Sequence, residues 1–179
     1  MTDRPRPGAD RSVRPALADD ASDIGRIQAA ALAALAPGLP GADPASLAAA
    51  WTTSLTGSRP PGVHALVALH GTAVVGYALA APGERIDIAG RDPIPAGADI
   101  HELAVDPDFA RSGHGSRLLH AIADTTGAAC LRVWVGADDQ ARIRFYQGAG
   151  FAPAGLRCRL TAPGARADDL VQHLWWAAL

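Results

Sequence analysis

Ile100 to Leu119 reads IHELAVDPDFARSGHGSRLL. The run opens as an apolar strand ending at Val105, is stopped by Pro107, and after Gly113 and Gly115 becomes a helical pattern. Leu118, Leu119 and, just beyond, Ile122 fall on one face of that helix. Strand, glycine turn and helix are contiguous. A turn of this kind leaves backbone N–H groups unpaired at a helix N-terminus, where the dipole is positive, and this suits a pyrophosphate. Glycines at 113 and 115 let the backbone approach an anion with no Cβ in the way, and Arg111 offers a charge-assisted contact. Taken alone, two glycines before a helix are more often plain loop residues. The stretch is not a dinucleotide fingerprint, because Leu118 stands in the place of the third glycine, and it is not a P-loop, because no Gly-Lys-Ser/Thr follows.

Outward from this segment, the chain alternates strands and helices. Residues 12–17 read as a strand, and Asp19 to Asp23 offer acidic capping before a helix to Leu35. A Pro/Gly loop at 37–44 precedes a second helix over 45–55 and a breaker cluster over 56–62. Residues 64–69 and 73–80 form an antiparallel hairpin around His70, Gly71 and Thr72. A polar loop over 81–98, lid or dimer contact, leads to a strand over 99–105. After the glycine turn and its helix come a strand over 130–135, a helix over 138–147 stopped by Gly148 and Gly150, and strands over 151–160 and 170–177. Early hairpins and late β-α-β units predict a mixed α+β domain with antiparallel and parallel pairs, over residues 12–179, behind a flexible tail at 1–11.

The 179 residues are 49% hydrophobic and 19% charged, within the range of one globular domain. Lys and Arg total 16 against 18 Asp and Glu, with pI near 6.3, so no global basic field favours nucleic acid or an anionic membrane. Cys130 and Cys158 are too few for a disulfide framework and match no zinc spacing. The N-terminal run lacks the apolar core of a signal peptide, and the Ala-rich stretch 27–39 is too short and Pro-interrupted to span a bilayer. A soluble, cytoplasmic protein is expected, with a monomer and a homodimer both open.

The run VDPDFARSGHGSRLL resembles the acyl-CoA-binding motif of the GNAT superfamily of N-acetyltransferases, V-x-P followed by R/Q-x-x-G-x-G/A. The family's Arg or Gln falls on Ala110, with Arg111 one step later. A second segment, ADDQARIRFYQGAGF over 137–151, is similar to the family's N-x-x-A-x-x-x-Y-x-x-x-G-F: Tyr146, Gly150 and Phe151 fit, Asp139 replaces Asn, and Arg142 stands where Ala is usual. The resemblance implies a GNAT-like fold, a central mixed sheet of about six to seven strands flanked by about four helices. It implies direct transfer in a ternary complex from acetyl-CoA, the cosubstrate, to a primary amine on a small molecule or protein, with no metal. Leu103, Ala104 and Val105 on the strand, Arg111, Ser112, Gly113, His114, Gly115 and Ser116 in the turn, and Asp139, Arg142 and Phe145 on the later helix are the implied cosubstrate contacts. The pantetheine arm would pair with the backbone of Leu103 and Val105 between splayed strands, and the Val105 N–H, freed by a bulge, would polarise the acetyl carbonyl. Glu102 is the implied base and Tyr146 the acid toward the leaving thiolate. A non-catalytic acyl-CoA-binding or regulatory module on the same fold is the competing reading.

An alkylamine with pKa of about 10.4 must lose a proton before it attacks, so a base or water relay is required. Glu102 supplies it, or instead pairs with an arginine or the substrate ammonium; His101 points to the opposite face by alternation. His114 reads as an exposed spacer within the turn, and His120 as a helix-surface residue. Trp51 is an acceptor-pocket wall or a core anchor, whereas Trp134, Trp175 and Trp176 read as sheet packing. Asp138 and Asp139 are helix-capping acids. Arg157 and Arg159 alternate on an edge strand, as solvated charges or as contacts to an acidic substrate group.

Overall fold

The computed structural model describes residues 10–35, 42–160 and 171–179. Most of the tail expected over 1–11, most of the loop expected over 37–44, and residue 170 of the last strand lie outside the described residues. Seven strands form one sheet: β1 Arg11–Pro15, β2 His64–His70, β3 Ala73–Gly83, β4 Gly97–Val105, β5 Cys130–Gly136, β6 Ala152–Arg159 and β7 Val171–Ala178, in spatial order β1-β2-β3-β4-β5-β7-β6. The helices are α1 Ala21–Leu35, α2 Pro44–Thr56, α3 His114–Thr126 and α4 Gln140–Gly148. All strand pairs are antiparallel except β4 with β5, which matches the mixed α+β expectation.

Local chemistry sets the helix starts. Before α1, Asp20 accepts the Leu17 N–H at 2.8 Å and pairs with Arg14 at 2.6 Å. Asp43 caps α2, which opens on Pro44, and Asp139, not Asp138, caps α4 by accepting the Arg142 N–H at 2.9 Å. Arg11, expected at the end of the tail, is the first residue of β1.

Alternation sorts the sheet's side chains into two layers. One face, with Leu66, Ala68, Ile100, Leu131 and Val133, packs against Leu118, Leu119 and Ile122 of α3 and Tyr146 of α4. The other face, with Ala65, Val67 and Tyr77, packs against Ile24 and Ile27 of α1 and Trp51 of α2. Each of those isoleucines, at most 1% exposed, contributes roughly 1.5–3 kcal/mol by burial. The polar loop between β3 and β4 is shorter than expected, because β3 runs to Gly83 and β4 starts at Gly97. It bridges at Ile86 and Ile94 and packs with Cys130, Ala154 and Leu174, so it covers sheet surface that the helices leave bare.

Two irregularities in β4 position the site. Leu79 pairs with Glu102 but Ala80 with Ile100, so His101 is the extra residue of a bulge. The bulge shifts the alternation: Ile100 and Leu103, three apart, share the α3 face, which turns Glu102 to the α1 face. Second, β4 pairs with β5 only through Ala98, Asp99 and Ile100, while β5 continues along β7 to Gly136. From His101 to Val105, β4 therefore borders a gap.

Candidate active site

Beyond the end of β4–β5 pairing lies a cavity of about 1040 Å³ that runs from the start of α3 and α4 through the gap to Ala31, Ala34 and Leu35 of α1. Leu103, Ala104 and Val105 line it from β4, Arg111, Gly113, His114, Gly115 and Ser116 from the turn and first helical residues, and Asp139, Arg142, Phe145 and Tyr146 from the α4 segment. Of the expected cosubstrate contacts, Ser112 does not line it. The Ser112 hydroxyl donates to the Phe109 carbonyl and its own carbonyl accepts from Arg11 at 2.7 Å, so it holds the turn's shape.

The glycine turn leaves the start of α3 open. Gly113, at φ 85°, is the N-cap of α3, and no side chain caps that terminus. A Cβ at Gly115 would stand 3.4 Å from the Phe145 ring. Arg111, exposed, also sits in the left-handed region at φ 57°, which a non-glycine residue adopts at a cost. His114 departs from its expected place. It is 1% exposed, with Nε2 at 3.3 Å from His70 Nδ1 and Nδ1 without a partner. The ring packs against Phe109 and His70 because the helix turns it under the loop. Burial, then His70, Arg11 and Arg117, push its pKa down. His120 is on the surface, as expected.

Tyr146 is 1% exposed and its hydroxyl has no partner. Burial pushes its pKa up to about 12, with the nearby Arg142 guanidinium opposing. Arg142 Nη2 donates to the Leu103 carbonyl at 2.7 Å, across the gap. The Asp106 N–H donates to Val75 on β3 at 2.8 Å, so alternation directs the Val105 N–H the other way, into the gap. It is β5's departure that frees this donor; the bulge is four residues earlier, at His101, and not at Val105 as expected.

Glu102 does not line the large cavity. Half-buried on the opposite face, it accepts from Gln28 Nε2 at 2.8 and 3.0 Å and from the Tyr77 hydroxyl. Burial, then the Glu102 charge, push the Tyr77 phenol up. Beside this cluster, Gln28, Trp51, Ala65 and Leu79 border a second cavity of about 480 Å³. Trp51 is both core anchor and cavity wall. Trp175 is buried as expected, but Trp134 is 38% exposed, because alternation along β5 turns it away from the face of Leu131, Val133 and Val135. Arg157 and Arg159 are exposed on β6, the sheet's last strand.

Gln28, Tyr77 and Arg132 had no part in the sequence reading. Gln28 is four residues after Ile24, on the core stripe of α1, and a polar residue there is the one available signal. Arg132 is 1% exposed and pairs with Asp99 at 2.6 Å across the parallel strands.

The family model described as Acetyltransferase (GNAT) family matches residues 31–151. The chain is 33% identical over 99 residues to N-alpha-acetyltransferase RimI of Mycobacterium tuberculosis, covering 55% of this chain and 58% of that protein. It is 40% identical over 63 residues to [Ribosomal protein bS18]-alanine N-acetyltransferase of Salmonella typhimurium, 34% of this chain and 43% of that one. The match thus spans about half the length of each of these curated relatives. Among solved structures, the ribosomal-protein-alanine N-acetyltransferase of Brucella melitensis superposes with TM-score 0.69 at 18% identity, over 94% of this chain and 99% of that one. The yncA structure from Salmonella typhimurium, with its cofactor acetyl-CoA, superposes with TM-score 0.65 at 20% identity, over 95% and 94%. With two-thirds of its length matched by that family model, this chain belongs to the GNAT acetyltransferase family.

Proposed function

We propose that this protein is an N-acetyltransferase that transfers the acetyl group of acetyl-CoA to a primary amine, with Glu102 as base and Tyr146 as acid. The observation that carries the reading is the Tyr146 hydroxyl, buried and unpartnered on the wall of a cavity whose far end is the uncapped, glycine-led N-terminus of α3. The residues fit the cosubstrate: free backbone donors for a pyrophosphate at Gly113 and Gly115, a gap with open backbone groups for an extended arm, and a phenol at the inner end. When bound, acetyl-CoA supplies an acetyl group activated as a thioester.

The chain's own groups then divide the work. The Val105 N–H, directed into the gap, donates to the oxygen on which negative charge grows. Glu102, on the face of α1 and α2, takes the proton from the acceptor's ammonium. Tyr146, still protonated at neutral pH, gives its proton to the departing thiolate. For the acceptor we favour the N-terminal α-amine of a peptide, on the strength of the two curated relatives' names. We also read the protein as cytoplasmic: both cysteines are free, and no helix among the described residues is long and apolar enough to cross a membrane.

Calorimetric titration of acetyl-CoA, followed by turnover of an alanine-initiated peptide and of small primary amines, tests the proposal. Binding should fall at least about a hundredfold in the Gly113→Asp, Gly115→Asp double variant, as expected where a carboxylate replaces the approach of a phosphate. Glu102→Gln and Tyr146→Phe should each lower kcat by roughly a hundredfold with little change in acetyl-CoA affinity. A wild-type protein that binds no acetyl-CoA sinks the reading. Binding without turnover of any amine moves it to a non-catalytic acyl-CoA module.

A further inference from the structure

Glu102 is held from two sides. Gln28 Nε2 donates to Oε1 at 2.8 Å and to Oε2 at 3.0 Å, while the Tyr77 hydroxyl donates to Oε2. The Gln28 amide is held in turn, because its Oε1 accepts from the Trp51 indole N–H at 2.8 Å. An amide turned end for end exchanges its acceptor for its donors, and an indole offers a donor alone. One orientation of Gln28 therefore satisfies Trp51, and it is the orientation that aims the NH2 at Glu102. Trp51, 8% exposed, also packs edge-on against the Tyr77 ring at 5.4 Å between centroids, which fixes the indole. Three side chains, from α1, α2 and β3, thus brace one another around the single carboxylate on β4.

We propose that Gln28 and Trp51 are positioning residues for the transfer. Trp51 sets the Gln28 amide; Gln28 and Tyr77 together set the rotamer of Glu102 and occupy Oε2 with two donors. Oε1, with one donor, is left as the oxygen that receives the acceptor's proton: an ammonium N–H bond breaks, an O–H bond forms on Oε1, and the nitrogen keeps the electron pair for attack. Tyr77 fits this part, since burial and the neighbouring charge keep its phenol protonated and hence a donor. This inference rests on Glu102 being the base.

Gln28→Leu, Trp51→Phe and Glu102→Gln test it in two measurements. The first needs no acceptor. In protein with ¹⁵N in its glutamine and tryptophan side chains, the Trp51 indole signal is assigned by its loss in Trp51→Phe, and the Gln28 amide pair by its loss in Gln28→Leu. Gln28→Leu should move the indole resonance to that of an unbonded ring, and Trp51→Phe should speed solvent exchange of the Gln28 amide roughly fivefold. Unchanged signals overturn the arrangement. The second follows turnover of acetyl-CoA and an alanine-initiated peptide. Both variants should lower kcat roughly tenfold with acetyl-CoA KM unchanged, and Trp51→Phe, which keeps an aromatic ring in the core, should melt near the wild-type temperature. If kcat is untouched in both while Glu102→Gln abolishes it, the positioning role fails and the base stands. Should Glu102→Gln turn over as well as wild type, the base reading fails and the positioning role with it. Where the wild-type protein leaves the peptide untouched, the kcat comparison is made with the small primary amine it does turn over, and turnover of no amine overturns the base reading and the positioning role with it.

Discussion

Tyr77 and Tyr146 are the chain's two tyrosines, and both phenols are pushed above the ordinary value of about 10 by burial. An absorbance titration of tyrosinate should therefore show no ionisation near pH 10 in the folded protein, with Tyr146 rising near 12, and both at the ordinary value in concentrated guanidinium. Because the folded state holds these protons more tightly, the stability they contribute is complete below about pH 10 and is lost as pH rises through the folded values. Ionisation of either group at pH 10 in the native protein would contradict the burial described. The sequence pointed to Tyr146 because a motif spans it. Tyr77 sits in an apolar run, VVGYALA, where nothing sets its hydroxyl apart from a packing residue's. Gln28 was likewise hidden, since its partner Glu102 is 74 positions away.

At the level of elements, the turn before α3 carries a pH response. His114 in the first turn is held neutral by burial, with His70 of β2, Arg11 of β1 and Arg117 of α3 adding positive surroundings. The unfolded chain takes up that proton first, near pH 6.5, so this contribution to stability is present above that pH and declines as pH falls below it. Melting temperature should therefore drop less steeply from pH 7 to pH 5 in His114→Gln than in wild type; parallel curves would remove His114 as the cause. The β4 bulge makes a second prediction. His101 is exposed, so His101→Ala should change stability by less than about 0.5 kcal/mol. Deleting His101 removes only that extra residue and leaves plain alternation, with Ile100 and Leu103 still under α3 and Glu102 still facing Gln28, so the fold and the Gln28–Glu102 contact should survive; loss of cooperative unfolding in denaturant titration would contradict the bulge. Element order and most boundaries were legible because hydrophobic period and Gly/Pro punctuation are local. The bulge was not, because it is defined by pairing with β3. Counting alternate residues from Ile100 puts Glu102 on the wrong face.

Across the whole molecule, the buried Arg132 pairs with the partly exposed Asp99 and ties the two parallel strands at the closed end of the gap. Arg132 also donates to the Glu84 carbonyl and lies directly over Gly83, where a Cβ would overlap its guanidinium and come within 2.5 Å of the Asp99 carboxylate. Gly83→Ala should thus displace the pair and cost about 3 kcal/mol in chemical unfolding, far more than a surface alanine; a neutral result would mean that the guanidinium moves freely. No sequence pattern announces this contact, since it joins residues from three segments. The sheet's order, with β7 between β5 and β6, is likewise invisible along the chain. The gap that begins above this tie has a kinetic meaning. The glycine-led cavity and the cavity beside the Glu102 cluster share no lining residue, so in the proposed transfer the two reactants would arrive by separate doors. In that transfer, released coenzyme A would stay seated without blocking the arrival of a fresh acceptor, and would act as a noncompetitive inhibitor toward the amine while competing with its own acetylated form.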